Sequence, residues 1–172
     1  MATNGRYRGS RLTGAGAALL VTLGCPAALG EEIRGTAEIL DGDSLRLGAV
    51  EIRLQGIDAP EGRQTCTVDG RAWRCGRSAA RALDELIGEA PVRCVWTQRD
   101  RYGRALATCF KDGTDINSVL VARGMAVAYT HYSDRYLSEE ALARSRRLGL
   151  WRSQFVAPWI WRHSHASPRQ RR

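Results

Sequence analysis

Lysine is nearly absent from this chain: of its 26 cationic residues, 25 are arginine and only Lys111 is a lysine. Arginine presents a planar fork of donors that matches phosphate, where lysine offers a point charge. With a formal net charge of +8, the bias suits a polyanionic partner. A GC-rich coding bias would leave the same excess, and the arginines are spread along the whole chain. Histidine is also scarce. Its copies at 131, 163 and 165 lie far in sequence from the cysteines, and no two cysteines are spaced Cys-x-x-Cys, which argues against a zinc site. Beyond residue 30 no stretch is apolar enough to span a bilayer. There is no internal repeat, and the twelve-residue ligand pattern of an EF-hand is missing.

Residues 1–30 have the layout of an export signal. Arg6, Arg8 and Arg11 give a positive start without an acid, residues 12–29 are apolar and small, and Ala28 and Gly30 form a small-x-small cleavage pattern. The glycines, the alanines and Pro26 favour cleavage over a retained anchor. Cys25 raises a lipoprotein alternative, but Thr22 stands where that motif wants leucine. Cleavage would remove three arginines, leaving 8 − 3 = +5. The expected organisation is a signal peptide at 1–30, one domain at 31–162 and a flexible basic tail at 163–172, in an exported protein, periplasmic or secreted.

Four cysteines remain after the signal, and an exported chain meets an oxidising compartment. Cys94 and Cys109 flank a predicted hairpin centred near Arg101 and Tyr102, which places them on adjacent strands. Cys66 and Cys75 then close a short loop. The loop-entropy model assigns about 2.7 and 3.1 kcal/mol to loops of about 10 and 16 residues.

Strands are expected at 33–40, 44–47 and 50–55. In the last, Val50, Ile52 and Leu54 alternate with Glu51, Arg53 and Gln55. Residues 56–77 read as a long surface loop. Ala79, Ala80, Leu83, Leu86 and Ile87 share a helical face that Gly88 ends. A second strand pair is expected at 92–97 and 105–110, and a short helix follows around Ile116, Val119 and Leu120. A third helix should start near Ser138, stapled by Leu137 and Leu142 and capped by Gly149. Trp151, Phe155, Trp159 and Trp161 are expected to pack back on the domain, with the chain fraying from His163. Five short strands with attached helices fit a small barrel, although composition alone does not select one.

Two segments carry chemistry. Asp41-Gly42-Asp43-Ser44 is followed by Arg53 and then Ile57-Asp58-Ala59-Pro60-Glu61. A hairpin at Gly48-Ala49 returns Arg53 to Asp43, and the strand's exit delivers Asp58 and Glu61 to the same end. Converging carboxylates repel unless a cation or guanidinium joins them, and an all-oxygen donor set suits a hard ion such as calcium. The second segment, Asp100-Arg101-Tyr102-Gly103-Arg104, occupies a hairpin tip. Taken singly, each piece reads as an ordinary polar turn; their joint occurrence, in order, does not.

In combination they resemble the staphylococcal nuclease-like (thermonuclease) family, over about residues 33–160. Asn117, Leu120-Val121, Gly124 and Leu148-Gly149-Leu150-Trp151 are similar as well. The resemblance implies an α+β, mainly β, fold: a five-stranded OB-fold barrel with three helices. It also implies a Ca²⁺-dependent nuclease acting on DNA or RNA with little sequence preference and leaving 3′-phosphate ends. Matched residue by residue, Asp43, Asp58 and the Ala59 carbonyl would hold calcium, and Asp41 would support it through water. Glu61 would be the general base, and Arg53 and Arg104 would bind the scissile phosphate. Tyr102, with Tyr129 or Tyr132, would position substrate. Ser44 replaces the family's threonine, and the cysteine-bearing loop at 62–77 is a departure that bears on substrate access. The alternatives are a catalytically silent nucleic-acid-binding OB-fold module and an adhesive envelope protein with a decayed site. A monomer is expected.

Overall fold

Alternation of apolar and polar residues sets the sheet. In the computed structural model, which describes Met1 and residues 30–131 and 133–165, the chain enters through β1 (Glu31–Gly35) and β2 (Ala37–Asp41), separated by Thr36 alone. β3 (Ser44–Leu47) and β4 (Val50–Leu54) follow, joined at Gly48, whose φ of 57° is left-handed. Leu45, Leu47, Ile52 and Leu54 point inward and are buried. β5 (Ile57–Asp58) and the hairpin β6 (Cys66–Val68) and β7 (Arg71–Trp73) lead into α1 (Cys75–Ile87). Next come β8 (Val92–Arg99), β9 (Ala105–Lys111) and β10 (Thr114–Asp115), then α2 (Ile116–Ala122) and β11 (Val127–Ala128). α3 (Leu137–Ser145), a 3₁₀ turn at Gly149–Arg152 and α4 (Pro158–His165) close the described chain.

The main sheet runs β1-β8-β9-β4-β3-β2, with β10 added to β9 and the β4–β9 pair parallel. Its two ends, β1 and β2, are consecutive stretches of one strand, so the sheet must curl on itself. The result is α+β, mainly β, and consistent with the expected OB-like barrel, with α4 as a fourth α-helix. The core fills the curl: Leu83 and Ile87 of α1, Ile116 and Leu120 of α2, and the inward residues of β3, β4, β8 and β9 form one buried cluster. Asn117, fully buried, ties this together. Its Nδ2 donates to the Gln55 and Ala107 carbonyls at 2.9 and 3.1 Å, and its Oδ1 accepts from the Cys109 amide at 3.2 Å.

Both expected disulfides form, Cys66–Cys75 and Cys94–Cys109. The second joins residues paired across β8 and β9. Two disulfides indicate a compartment outside the reducing cytoplasm. Among the described residues no helix is long and apolar enough to cross a membrane.

Three expectations differ from the structure. The stretch at 56–77 is not simply a surface loop: β5, β6, β7 and the start of α1 lie in it, and Asp58, Gln64, Cys66 and Cys75 are buried. Strands of two or three residues are too short to show a period. Leu137 is the first residue of α3 and both it and Leu142 are exposed, so no staple forms around Ser138. The first left-handed residue after α3 is Arg147, at φ 52°, and Gly149, at φ 50°, opens the 3₁₀ turn. Residues 2–29 of the expected signal peptide, Tyr132 and residues 166–172 lie outside the described residues. Residues 163–165 belong to α4.

Candidate active site

The β3–β4 register pairs Ser44 with Arg53, and this places the Arg53 guanidinium beside Asp43. Arg53 Nη1 donates to Asp43 Oδ1 at 2.8 Å and Nη2 to Asp58 Oδ1 at 2.6 Å. Asp58 is held by the pairing of β5 with β11, where it faces Val127. The Ala59 amide donates to Asp43 Oδ2 at 2.9 Å, and Ser44 Oγ donates to Asp43 Oδ1 at 3.0 Å. Gly42 allows the turn to seat here: a Cβ on it would lie 2.7 Å from the Ala79 Cβ of α1 and 2.8 Å from that of Ala59.

Glu61 is placed by a short turn that α1 supports. The Gln64 amide donates to the Glu61 carbonyl at 2.6 Å, and the Glu61 amide donates to Gln64 Oε1 at 3.2 Å. Gly76, in the first turn of α1, packs directly on the Glu61 backbone carbonyl, where a Cβ would collide. Gln64 itself is buried, and its Nε2 donates to the Val156 carbonyl at 2.6 Å, coupling this turn to the entry of α4.

Arg162 of α4 completes the cluster. Its Nη1 and Nη2 donate to Asp58 Oδ1 and Oδ2 at 2.8 and 2.9 Å, and Nη1 also reaches Glu61 Oε1 at 2.7 Å. Two arginines thus cover the two buried aspartates. Burial pushes the Asp58 carboxyl up despite the Arg162 fork, with Asp43 adding to the rise. Burial, with Asp43 and Glu61 nearby, pushes Asp41 up to about 6 against the Gly42 amide bond. Burial works against the charge on Arg162, but the bonds and field of Asp58 and Glu61 outweigh it and hold the guanidinium well above its ordinary value.

Asp41, Arg53, Glu61 and Arg162 border an open cleft of about 1530 Å³ that Tyr102 and Arg104 also line. Arg104 makes no bond to the carboxylate cluster. Its Nε and Nη2 grip Asp100 Oδ2 at 2.8 and 2.7 Å, and the amides of Tyr102 and Arg104 donate to Asp100 Oδ1. Slight burial raises the Asp100 carboxyl, but those bonds win and hold it below the ordinary carboxylate range. Tyr102 is exposed and Tyr129 lines the cleft. Of the expected site residues, Asp43, Asp58, Ala59, Arg53 and Glu61 are therefore drawn together, and Arg104 and Tyr102 line the same cleft.

The donor chemistry fits a hard cation. Four carboxylates, Asp41, Asp43, Asp58 and Glu61, stand against the guanidinium groups of Arg53 and Arg162, for a formal balance of −4 + 2 = −2. An ionised carboxylate has about four accepting sites. Asp43 uses three, to Ser44, Arg53 and Ala59, and Asp58 uses three, to Arg53 and twice to Arg162. With the guanidinium groups in place, no set of three or more metal-binding side chains is preassembled among the described residues. Arg162 is thus the group a cation at Asp58 has to contend with.

Residues 51–153 match the model of the family described as Staphylococcal nuclease homologue. The chain belongs to that family. It is 41% identical over 142 residues to the succinoglycan biosynthesis protein ExoI of Rhizobium meliloti (strain 1021), covering 80% of this chain and 73% of that protein. It is 36% identical over 135 residues to an uncharacterized endonuclease of Escherichia coli O157:H7, covering 73% and 81%. It is 33% identical over 167 residues to the micrococcal nuclease of Shigella flexneri, covering 86% and 90%. This staphylococcal nuclease homologue is accordingly a hydrolytic nuclease, and nucleic acid is its class of substrate.

The sequence reading missed Arg162 and Gln64. Arg162 sits 101 residues from Glu61, so no local pattern announces it. The one available signal was an arginine flanked by Trp161 and His163 at the last position of the expected domain. Gln64 is a buried polar residue inside an apparently hydrophilic stretch, and burial leaves no mark there.

Proposed function

We propose that this protein is an exported, calcium-dependent nuclease that cuts phosphodiester bonds of DNA or RNA with low sequence specificity, acting as a monomer. The observation that carries the reading is the net −2 carboxylate cluster on the wall of a cleft that also bears Arg53 and Arg104. A phosphodiester anion approaching four carboxylates is repelled unless a divalent cation is there. Asp43, Asp58 and the Ala59 carbonyl would hold calcium, with Asp41 behind them. When bound, the ion supplies charge neutralisation for the developing pentacoordinate phosphate.

The chain's own groups do the rest. Glu61, held by Gln64 and the floor of Gly76, takes the proton from a water attacking phosphorus. The phosphorus–O5′ bond breaks as the new bond forms, and the leaving oxygen takes a proton from solvent, giving a 3′-phosphate and a 5′-hydroxyl. Arg53 commits two donors to Asp43 and Asp58 and has N–H groups left for the phosphate oxygens. Arg104, oriented by Asp100, lines the same cleft and adds a second guanidinium. Neither guanidinium readily gives up a proton, so both act as electrostatic clamps. Arg162 is paired with Asp58, and its guanidinium would have to release that carboxylate for Asp58 to hold a cation. Export rests on the residue 1–30 pattern, with the two disulfides in support.

The test is digestion of plasmid DNA and of RNA by the purified chain in calcium and in chelator, beside Glu61→Gln. Calcium-dependent cleavage lost in the variant supports the reading. Tight strand binding without cleavage by the wild-type chain would instead mark the silent binding module. A mature mass lacking about 30 residues in an envelope or medium fraction tests export.

A further inference from the structure

The cleft has two aromatic rims, of which only the first carries a residue already expected to position substrate. One is the β8–β9 hairpin tip, where Tyr102 is 69% exposed and the guanidinium carbons of Arg101 and Arg104 lie 4.9 and 5.6 Å from its ring centre. The other is α4, which lies beyond the residues matched to the family model. Trp159 and Trp161 both line the cleft. Trp161 stacks on His165 one helical turn away, with ring centres 4.1 Å apart and planes 11° from parallel. Trp159 is 42% exposed and meets Tyr129 at 5.8 Å.

The helix is fastened so that these rings stay beside the carboxylates. Pro158 is buried, the Gln64 side chain holds the Val156 carbonyl, and Arg162 reaches Asp58 and Glu61 from the same helix. Swinging the Arg162 side chain aside leaves the first two anchors intact. Arg63, Arg99 and Arg101 also line the cleft. Flat apolar faces and cations in one cleft match a polymer of flat bases and anionic phosphates.

We propose that α4 is a base-stacking wall for an unpaired nucleic-acid strand: Trp159 and the Trp161–His165 stack take bases beside the scissile phosphate. This deepens, and rests on, the nuclease reading of the adjoining cleft. A duplex keeps its base faces inside the helix, so only an unpaired or frayed strand can use the wall. α4 is therefore the element that sets preference for single strands over duplex.

The test uses the full chain carrying Glu61→Gln, so that substrate is not consumed. Binding of a fluorescein-labelled oligothymidine and of a hairpin duplex of equal length is followed by anisotropy in calcium at fixed salt. Trp159→Ala and Trp161→Ala should each weaken strand binding about tenfold, within the range for losing one base stack. Duplex binding should change less than threefold. Trp159→Phe and Trp161→Phe keep a ring and should stay within about threefold of the parent. Strand affinity unchanged in the double alanine variant overturns the proposal. So does an equal loss for strand and duplex, or a phenylalanine variant as weak as the alanine one, which would point to disruption of the helix. Cleavage by the chain with Glu61 intact is measured separately. Its absence counts against the nuclease reading, while the anisotropy series still decides the wall.

Discussion

Replacing Gly76 with alanine should damage catalysis far more than folding. The added Cβ would lie 2.6 Å from the Glu61 carbonyl carbon and 3.1 Å from that of Gly62, and closer still to the Glu61 carbonyl oxygen. The obstacle is backbone on both sides, so nothing can rotate out of the way. Ordinary contact begins near 3.4 Å, so the turn carrying Glu61 has to retreat by about 0.8 Å or more. Overpacking of this kind costs about 1–3 kcal/mol. Alanine's better helix propensity offsets up to about 1 kcal/mol of that, less in a first turn. The net loss of about 0–3 kcal/mol corresponds to a Tm drop of a few degrees, up to about 10 °C. For the chemistry, a misplacement of about 1 Å costs on the order of a hundredfold. Steady-state cleavage of a defined oligonucleotide should show kcat down about a hundredfold, while Arg77→Ala, on the exposed face of the same turn, stays near wild type. A Gly76→Ala variant cleaving within twofold of wild type would refute the claim that this helix positions Glu61 as the base.

Glu61→Gln keeps the shape of the base but not its proton affinity, and should lower kcat by about 10²–10⁴ while calcium binding by calorimetry persists. Arg162→Gln removes the cation already paired with Asp58 and Glu61; calcium affinity, read by titration calorimetry, should rise several-fold, and a fall would show that Arg162 does not compete. Reduction of Cys66–Cys75 and Cys94–Cys109, which close loops of about 10 and 16 residues, should destabilise the domain by up to about 2.7 and 3.1 kcal/mol, measured as midpoint shifts in denaturant for each Cys-to-Ser pair. Asp100 is held below the ordinary carboxylate range. A depressed carboxylate contributes stability above its unfolded pKa, about 3.9, and loses it as pH falls through the lower folded value. The Arg104 pair should therefore persist at neutral and mildly acid pH, and an NMR titration of the Asp100 carboxyl checks this.

By itself, the sequence determined whatever is written in short-range pattern. The alternation at 50–55 became β4, with Ile52 and Leu54 inside. Cysteines on either side of a readable hairpin became the Cys94–Cys109 bridge because register fixes which residues face each other. The Asp41–Ser44, Arg53 and Asp58–Glu61 segments were recognisable together because hairpin connectivity brings them to one end of the sheet. Only the tertiary structure decided the contacts that depend on distant chain meeting distant chain. The curl that lays β1 against β8, while the same strand runs on into β2 at the sheet's other end, is one such contact. Gln64 is another, a polar residue tolerated in the interior because three partners satisfy its side chain and backbone. The last is α4, whose arginine crosses the molecule to Asp58 and whose tryptophans then border the cleft. No periodicity encodes such a meeting. It follows from where the helix docks, and docking is a sum of small packing and charge terms that no local stretch of sequence contains.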